Sequence, residues 1–397
     1  MKAERKPDRL LKNIILLGMI SCFADFSSEM VYPLIPLYLT TALGATPEIV
    51  GIIEGIAESL ASLLKVFGGY LSDRYRRKKK LAFIGYASGV IYKLALLFAG
   101  SWGGVLFARV IDRIGKGIRT APRDVMVAES SEGGKLGNSF GIHKALDMLG
   151  SAAGILAAFF IMKKTGASVH SYRIVFALSL IPIGAALCLF AFVKEKKDRE
   201  EHCPRGAFWK KGEKLDKNLK LYLAVVTIFT LGNSSNTFLL LRAKNIGFGA
   251  TGVIMLYFLY NIVASAFAIP MGKRSDRKGR KSVLVRGYLL FALVYMIFAF
   301  GRSQTAMITA FSLYGLYTAM MAGAERAFIS EIAPSELKGT MLGFHGTLVG
   351  VALLPASIIA GVLWEKVGVY APFVFGAALS LTAAVVLTVG LKEKRLD

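Results

Sequence analysis

Twelve apolar runs, each about as long as a bilayer is thick, limit the fold of this chain more than any other feature. An α-helix needs about 20 apolar residues to cross the roughly 30 Å hydrocarbon core of a membrane. Barrel strands would alternate in polarity and these runs do not, so only helices can satisfy the backbone hydrogen bonds in lipid. We therefore predict an all-α membrane protein with transmembrane helices near residues 12–40, 49–71, 81–99, 103–128, 138–162, 172–193, 220–241, 250–272, 282–300, 305–330, 339–363 and 370–391.

The lysines and arginines lie mainly in alternate connections between these runs. Seven segments hold 32 of the 49 cationic residues, and they are 2–12, 72–80, 129–137, 194–220, 273–281, 331–338 and 392–397. Because positively charged segments resist translocation, we expect both termini in the cytoplasm and the chain in the plasma (inner) membrane. The longest segment is charged and poor in apolar residues, which is typical of a linker between two halves.

Other classes of protein fit this sequence poorly. The net charge of +23 does not indicate a nucleic-acid partner, because the cations form short tracts between apolar runs instead of one basic face. The three cysteines lack a metal-ligating spacing, and no metalloprotease, serine hydrolase or P-loop motif occurs. We therefore expect no catalytic residue, no metal, no cofactor and no nucleic-acid partner.

Two short motifs recur at nearly one interval. An Asp-Arg pair at 73–74 reappears 203 positions later at 276–277, and G-x-x-x-G-x-H at 137–143 reappears 202 positions later at 339–345. Two matches at nearly the same offset predict an internal repeat of the parallel kind. The expected domains are an N-terminal six-helix bundle at 1–193, a cytoplasmic linker at 194–219 and a C-terminal six-helix bundle at 220–397.

The charged loop after the second helix of each half resembles G-x-L-x-D-R-x-G-R-[RK], the signature loop of the major facilitator superfamily. The matching residues are Gly69, Leu71, Asp73, Arg74, Arg77 and Lys78 in the first copy, and Gly272, Asp276, Arg277, Gly279, Arg280 and Lys281 in the second. The resemblance implies twelve transmembrane helices in two six-helix parallel repeats. It also implies secondary transport of a small-molecule substrate by alternating access.

The same resemblance implies that these loops act as gates between conformations. The candidate gating residues are Gly69, Asp73, Arg74, Arg77, Gly272, Asp276, Arg277 and Arg280. Their arginines can also bind anionic lipid head groups. On a simpler interpretation, the arginines only anchor the loops in the cytoplasm.

Charged residues inside the predicted helices need a reason, because each costs roughly 2.5–3.5 kcal/mol at mid-membrane. Asp25 and Glu29 lie four residues apart on the first helix, and Glu54 and Glu58 repeat that spacing on the second. Each pair therefore shares one helix face. Paired carboxylates in a site of low dielectric can load and release a proton in the physiological range.

The fourth helix places Asp112, Lys116, Arg119 and Arg123 along one stripe, at i, i+4, i+7 and i+11. Its segment at 113–121 resembles the superfamily pattern R-x-x-Q-G-x-G-A, which implies a role in proton coupling for Arg113. The extra cations of this chain favour an anionic or zwitterionic substrate. A static lattice of ion pairs that holds the helices together is the alternative.

The fifth helix adds His143 and Asp147, four residues apart, which could titrate as a pair or serve packing alone. The full set of proton-coupling candidates is Asp25, Glu29, Glu54, Glu58, Asp112, Arg113, His143 and Asp147. Gly150 and Gly154 have the spacing of close helix packing, but the proline of the drug-antiporter motif does not follow them. The resemblance to antiporters is weakened by that difference.

The second half of the chain has a different chemistry, with neutral polar and aromatic residues where the first half has charges. The substrate-binding candidates are Lys116, Arg119 and Arg123 in the first half, and Asn233, Asn236, Tyr257, Tyr260, Asn261, Glu325 and Arg326 in the second. We expect the first half to handle charge and protons and the second to offer apolar and hydrogen-bonding surface. Serine and asparagine also stabilise helix packing, which is the alternative.

The sequence thus favours a secondary active transporter, coupled to protons, for a small organic solute. Efflux of amphipathic compounds and transport of an organic anion both remain open, by symport or antiport. A facilitative uniporter is one alternative, and a membrane receptor or scaffold that uses the fold without transport is another. We expect a monomer without enzymatic activity, with protons and membrane lipids as its other partners.

Overall fold

A computed structural model describes residues 7–75, 78–131, 136–195, 216–333 and 338–391 of the chain. Almost all of these residues are helical, and none of them lies in a strand. In this part of the chain, nine helical segments are long and apolar enough to cross a membrane. The predicted all-α membrane fold is therefore confirmed.

The first half of the chain forms long helices with short connections. They are α1 (Pro7–Val31), α2 (Pro47–Tyr75), α3 (Lys78–Phe98), α4 (Trp102–Glu129), α5 (Leu136–Thr165), α6 (Val169–Leu178) and α7 (Leu180–Phe190). Short helical turns continue α1 as far as Ala42, because Pro33 and Pro36 lack the N–H groups that a regular helix needs. Ser101 begins α4 by accepting a hydrogen bond from the Gly104 N–H at 3.3 Å.

The second half repeats this arrangement. Its helices are α8 (Lys217–Gly232), α9 (Thr237–Asn245), α10 (Ala250–Lys278), α11 (Arg280–Phe300), α12 (Gln304–Ile332), α13 (Lys338–Lys366) and α14 (Ala371–Gly390). Gly279 separates α10 from α11 with a φ of 82°, a left-handed conformation that glycine adopts without steric cost. Ser303 begins α12, since its hydroxyl accepts a hydrogen bond from the Ala306 N–H.

Two predicted spans are each divided into two helices. The span predicted at 172–193 breaks at Ser179, whose carbonyl oxygen instead accepts a hydrogen bond from Ser27 Oγ at 2.7 Å. The span predicted at 220–241 breaks at 233–236, where α8 ends and α9 begins. A break inside a membrane is stable only where other groups take over the freed backbone hydrogen bonds.

Three further predicted spans, at 49–71, 103–128 and 305–330, correspond to α2, α4 and α12, which are not among the nine segments counted above within the described residues. For α4 the reason is the charged stripe, which lowers its apolarity without shortening it. Its 28 residues extend about 42 Å, enough to cross the hydrocarbon core.

The contacts divide the chain into two compact units. Unit 1 comprises Met1–Ala45 with Leu60–Glu201, and unit 2 comprises Thr46–Ser59 with His202–Asp397. The first part of α2 therefore groups with the second half of the chain. The domain boundaries at 193 and 220 stay a prediction.

Unit 1 owes its packing to small residues on α5. A Cβ atom at Gly150 or Gly154 would overlap the carbonyl oxygens of Cys22 and Phe26, so the backbones of α1 and α5 lie in direct contact. Apolar side chains from α1, α3, α4 and α7 complete the core beside this contact.

Unit 2 packs through glycines and aromatic rings. A Cβ at Gly232 would lie 3.0 Å from the Gly376 carbonyl oxygen, which brings α8 against α14. The rings of Phe291 and Tyr295 stack with centroids 3.9 Å apart, and Phe298 stacks on Phe373 at 5.6 Å. Such aromatic pairs add about 0.5–1.5 kcal/mol each beyond the area they bury.

Candidate functional site

A seam of polar contacts joins α1 and α4 in unit 1. Arg119 Nη2 lies 3.9 Å from Asp25 Oδ1, and Arg123 Nη1 donates a hydrogen bond to Ser21 Oγ at 3.1 Å. As the residue number rises along α4 it falls along α1, as expected for antiparallel helices. The helical spacing seen in the sequence therefore places the last two residues of the α4 stripe, Arg119 and Arg123, against α1.

Asp112 is the centre of a second group of charges on α4. Its Oδ2 atom lies 3.4 Å from Lys116 Nζ, 3.9 Å from Arg109 Nη1 and 3.9 Å from Arg113 Nε. Arg109 and Lys116 reach it because they stand three residues before and four residues after it on the helix. One carboxylate thus offsets part of the charge of three cations, in a place where unpaired charges would be costly.

Exposure differs sharply within this set. The side chains of Arg109 and Asp112 are 1% and 5% exposed, whereas those of Lys116 and Asp25 are 26% and 29% exposed. Arg119 is buried beside Asp25, with its guanidinium 4.5 Å from the centre of the Tyr86 ring. Within this set, Lys116 is an accessible cation and Asp25 an accessible carboxylate, and each is paired with a buried group of opposite charge.

Lys93 on α3 belongs to the same region and is not among the predicted site residues. Its side chain is almost fully buried, and its Nζ donates a hydrogen bond to Ser28 Oγ at 3.4 Å. The ring of Tyr92 lies 4.5 Å from that ammonium group. The sequence contains a usable signal, because a lone lysine within the apolar run 81–99 carries the same insertion cost as the acids on α1.

The predicted pair on α5 is present in the structure. His143 Nδ1 lies 3.5 Å from Asp147 Oδ2, and both side chains are buried. Neither His143 Nε2 nor Asp147 Oδ1 has a hydrogen-bond partner in the part of the chain that the structure describes. The repeat counterpart His345 instead stacks parallel to the Tyr222 ring at 6.3 Å.

The acids predicted on α1 and α2 do not all belong to one unit. Asp25 and Glu29 are in unit 1, whereas Glu54 and Glu58 are in the part of α2 that groups with unit 2. Glu54 is buried, and its Oε2 accepts a hydrogen bond from Ser235 Oγ at 3.2 Å. Glu29 and Glu58 are half-buried.

Several predicted substrate-binding residues of unit 2 lie together. Asn236 Oδ1 accepts a hydrogen bond from the Tyr314 hydroxyl at 2.7 Å, and the Tyr260 ring lies 5.4 Å from the Tyr314 ring. Tyr257 continues this aromatic group at 5.7 Å from Tyr260. Asn261 Nδ2 instead donates to the Tyr257 carbonyl oxygen of its own helix at 2.8 Å.

The other predicted residues of unit 2 are more dispersed. Asn233 terminates α8, with its N–H 3.0 Å from the Phe229 carbonyl oxygen. Glu325 is half-buried, and its backbone oxygen accepts a hydrogen bond from the Tyr222 hydroxyl at 3.4 Å. The Arg326 side chain lies outside the described part of the structure.

The structure describes only part of the predicted gating loops. Gly69, Asp73 and Arg74 lie in α2 and Asp276 in α10, but the side chains of these residues are not among those described, and Arg77 lies outside the described residues. Gly272 and Arg277 lie near the end of α10, where Arg277 is exposed.

Each repeat has an ion pair next to its predicted gating loop. Arg280 Nη1 lies 3.1 Å from Glu331 Oε2 and donates to the Ala327 carbonyl oxygen at 2.8 Å, while Lys78 pairs with Glu129. The two acids stand 202 positions apart, which is the offset of the repeat. The lysines and arginines of these connections alone do not reveal that Glu129 and Glu331 occupy equivalent positions.

Comparisons with known proteins agree with this architecture. The sequence profile described as Major Facilitator Superfamily matches residues 17–241 and 221–396, essentially the whole chain. The chain belongs to the major facilitator superfamily. An uncharacterized MFS-type transporter of Methanocaldococcus jannaschii is 36% identical over 398 residues, covering 98% of this chain and 97% of the relative.

More distant relatives of this superfamily member have named substrates. A probable 4-methylmuconolactone transporter of Cupriavidus pinatubonensis is 24% identical, covering 84% of this chain and 81% of the relative. The crystal structure of a point mutant of the nucleoside transporter NupG superposes with a TM-score of 0.79, covering 96% of this chain and 100% of that one at 12% identity. That likeness concerns the fold.

The superfamily assignment settles the general type of the protein. It is an integral, multi-pass membrane transporter with two six-helix repeats and a small-molecule substrate, and it is not an enzyme. The predicted resemblance and fold class are therefore confirmed.

Proposed function

We propose that this transporter couples the movement of a small organic anion to protons, with Asp25 and Arg119 as its switch. The observation that carries the proposal is the unequal exposure of this pair: Asp25 is 29% exposed, whereas Arg119 is 8% exposed. Water can therefore deliver a proton to the carboxylate, while the guanidinium stays fixed against the Tyr86 ring.

Proton binding and anion binding are linked through this pair. When a proton from water binds Asp25, Arg119 loses its counter-charge and can attract an acidic group of the substrate. When the proton leaves, the carboxylate competes for the guanidinium again and the substrate is released. By linkage, each ligand changes the affinity for the other by the same factor.

Lys116 supplies the second reason to infer an anionic substrate. It is the accessible cation of the Asp112 group, at 26% exposure. A purely structural network would not need to keep one cation and one carboxylate open to solvent. The relative named as a probable 4-methylmuconolactone transporter is consistent with an organic-acid substrate for this chain.

The remaining expectations belong to the same proposal. We propose that the chain lies in the plasma (inner) membrane with both termini on the cytoplasmic side. We also propose that it is a monomer whose two six-helix halves are joined by a linker at 194–219. Anionic lipid head groups bind the cationic gating loops. The ion pairs Lys78–Glu129 and Arg280–Glu331, at repeat-equivalent positions, support a role for those loops in conformational change.

A second candidate function is efflux of amphipathic aromatic compounds. The tyrosines 257, 260 and 314 of unit 2 form a contiguous aromatic group with Asn236 as its polar member. Aromatic side chains with a few placed polar groups are typical of sites for such ligands. Screening of both ligand classes separates the two candidates.

The first test is a thermal-shift screen of the purified full chain against organic acids and amphipathic aromatics at two pH values. A compound that binds the folded state raises the melting temperature by mass action. We expect organic acids to stabilise the protein more at the lower pH, and Asp25→Asn to remove that pH dependence. Glu365→Gln, an exposed acid on α13, is the matched control. An unchanged pH dependence in Asp25→Asn would refute the proposed switch.

A further inference from the structure

Lys93 is a buried cation whose partners do not balance its charge. It lies among α1, α3 and α4 with 1% of its surface exposed. Its polar contact is the Ser28 hydroxyl at 3.4 Å. Among the residues described in unit 1, no carboxylate oxygen comes within 4 Å of its Nζ.

A buried ammonium group normally requires an anion and further hydrogen bonds. Removing a lysine charge from water costs several kcal/mol, and a single neutral hydroxyl returns only a fraction of that. An ammonium group has three donors, and among the described residues its contacts are the bond to Ser28 and the Tyr92 ring, so a further acceptor can still be bonded. Lys93 therefore has both the charge and the geometry to bind an oxyanion.

The nearby carboxylates are already engaged by other cations. Asp112 lies within 3.9 Å of its three neighbours on α4, and Asp25 lies 3.9 Å from Arg119. The charged groups that act on Lys93 are the attractive Asp112 and Asp25 and the repulsive Lys116 and Arg119. An additional anion placed here would interact favourably with three cations from two helices.

We infer that Lys93 is a second anion-binding point of the transport site, and that the substrate carries two acidic groups. One group binds Lys116 and Arg119 on the accessible side, and the other binds Lys93 together with the Ser28 hydroxyl. This inference rests on the proposed function and narrows it to dicarboxylates. Since Lys93 is closed off in this structure, the second group reaches it through a rearrangement on binding.

The test measures anion binding to the purified full chain by thermal shift, at one pH and constant ionic strength. The probes are acetate, succinate and inorganic phosphate, so that one negative charge is compared with two and carboxylate with phosphate. We expect the wild type to bind succinate, which has two separate acidic groups, more tightly than acetate or inorganic phosphate. Lys93→Gln should lose about tenfold in affinity for succinate, equivalent to about 1.4 kcal/mol, and keep its affinity for acetate.

Two variants control for folding and for general charge. Lys93→Arg keeps the cation and should keep the preference for two acidic groups, which separates binding from packing if Lys93→Gln folds poorly. Lys163→Gln removes an exposed lysine from α5 and should behave like the wild type. Equal affinity of wild type and Lys93→Gln for succinate would overturn the inference, and so would a wild type without preference for two acidic groups.

The inference and the proposed function fail in different ways. If Asp25→Asn loses the pH dependence of binding while Lys93→Gln binds succinate normally, only the role of Lys93 is wrong. If Lys93→Gln loses the dianion while Asp25→Asn keeps the wild-type pH dependence, the proton switch is wrong and the anion site stands.

Discussion

Helices α4 and α12 occupy equivalent places in the two repeats, yet one is lined with charges and the other with small and aromatic residues. Asp112 corresponds to Gly315 at the 203-residue offset, and Lys116 corresponds to Ala319. A Cβ at Gly315 would lie 2.7 Å from the Tyr260 carbonyl oxygen, so α12 packs closely on α10 at the point where α4 holds a carboxylate. The two repeats therefore have the same helix arrangement, but Asp112 and Lys116 of α4 are replaced by small residues in α12.

The C-terminal ends of α4 and α12, by contrast, form equivalent ion pairs. Glu129 and Glu331 each pair with a cation at the start of the preceding helix, Lys78 in one repeat and Arg280 in the other. The two repeats thus differ in the middle of these helices, where only α4 carries the Asp112 group. They agree at the helix ends, where each has an ion pair. We expect this combination if one repeat holds the coupling site and both repeats take part in the conformational change.

The largest effect is expected when a carboxylate like that of Asp112 is introduced at the equivalent position of α12. Gly315→Asp would place a carboxylate in a close helix contact, where a buried charge without a partner costs about 3–5 kcal/mol. We expect loss of monodisperse protein on size-exclusion chromatography. Gly343→Ala, at a helical glycine with open space around it, is the control and should leave the yield unchanged. A folded Gly315→Asp protein would show that α12 tolerates the chemistry of α4.

A cation in unit 2 should matter for stability alone. Arg242 donates to the carbonyl oxygens of Phe298, Ala299 and Gly301 at 2.7, 3.2 and 3.0 Å, which satisfies the end of α11. Arg242→Gln should lower the free energy of unfolding by about 2–3 kcal/mol, since charged hydrogen bonds are lost. Thermal unfolding measures that loss, and the pH dependence of ligand binding should not change. A changed pH dependence would place a coupling residue in unit 2.

The smallest expected effect on stability concerns the paired helix ends. Glu331 is 44% exposed, so removing its carboxylate should cost no more than about 1 kcal/mol. If the pairs act in conformational change, Glu129→Gln and Glu331→Gln should alter transport turnover to a similar extent. Turnover in proteoliposomes at one substrate concentration tests this. A large effect in one variant alone would contradict the equivalence of the ends.

The sequence predicts the helices well and the site in part. Apolar runs set the spans because membrane thickness fixes their length, and the i, i+4 spacing on α4 places Arg119 and Arg123 against α1. The breaks at Ser179 and 233–236 are not predicted, although Pro182 is a local signal for the first, since it lacks the N–H that would continue the helix. The bond from Ser27 to the Ser179 carbonyl oxygen is a tertiary contact that the local sequence does not reveal.

The positions of the acidic residues on α1 and α2 show a further limit of prediction from the sequence. Four carboxylates on α1 and α2 look equivalent by spacing, but Glu54 groups with unit 2 and bonds to Ser235. Helix periodicity identifies a face and not the neighbour that covers it. The insertion-cost argument is enough to single out Lys93, although its lack of a close carboxylate is visible only in three dimensions.

The most direct test of the central claim is proton movement in lightly buffered proteoliposomes that contain a pH indicator. On addition of a transported organic acid, the wild type should change the internal pH as the solute moves, and Asp25→Asn should move the solute without the pH change. Arg119→Met should lose at least about tenfold in solute affinity, as expected when a charged contact of about 1.4 kcal/mol or more is removed. Proton movement in Asp25→Asn equal to that of the wild type would contradict the account.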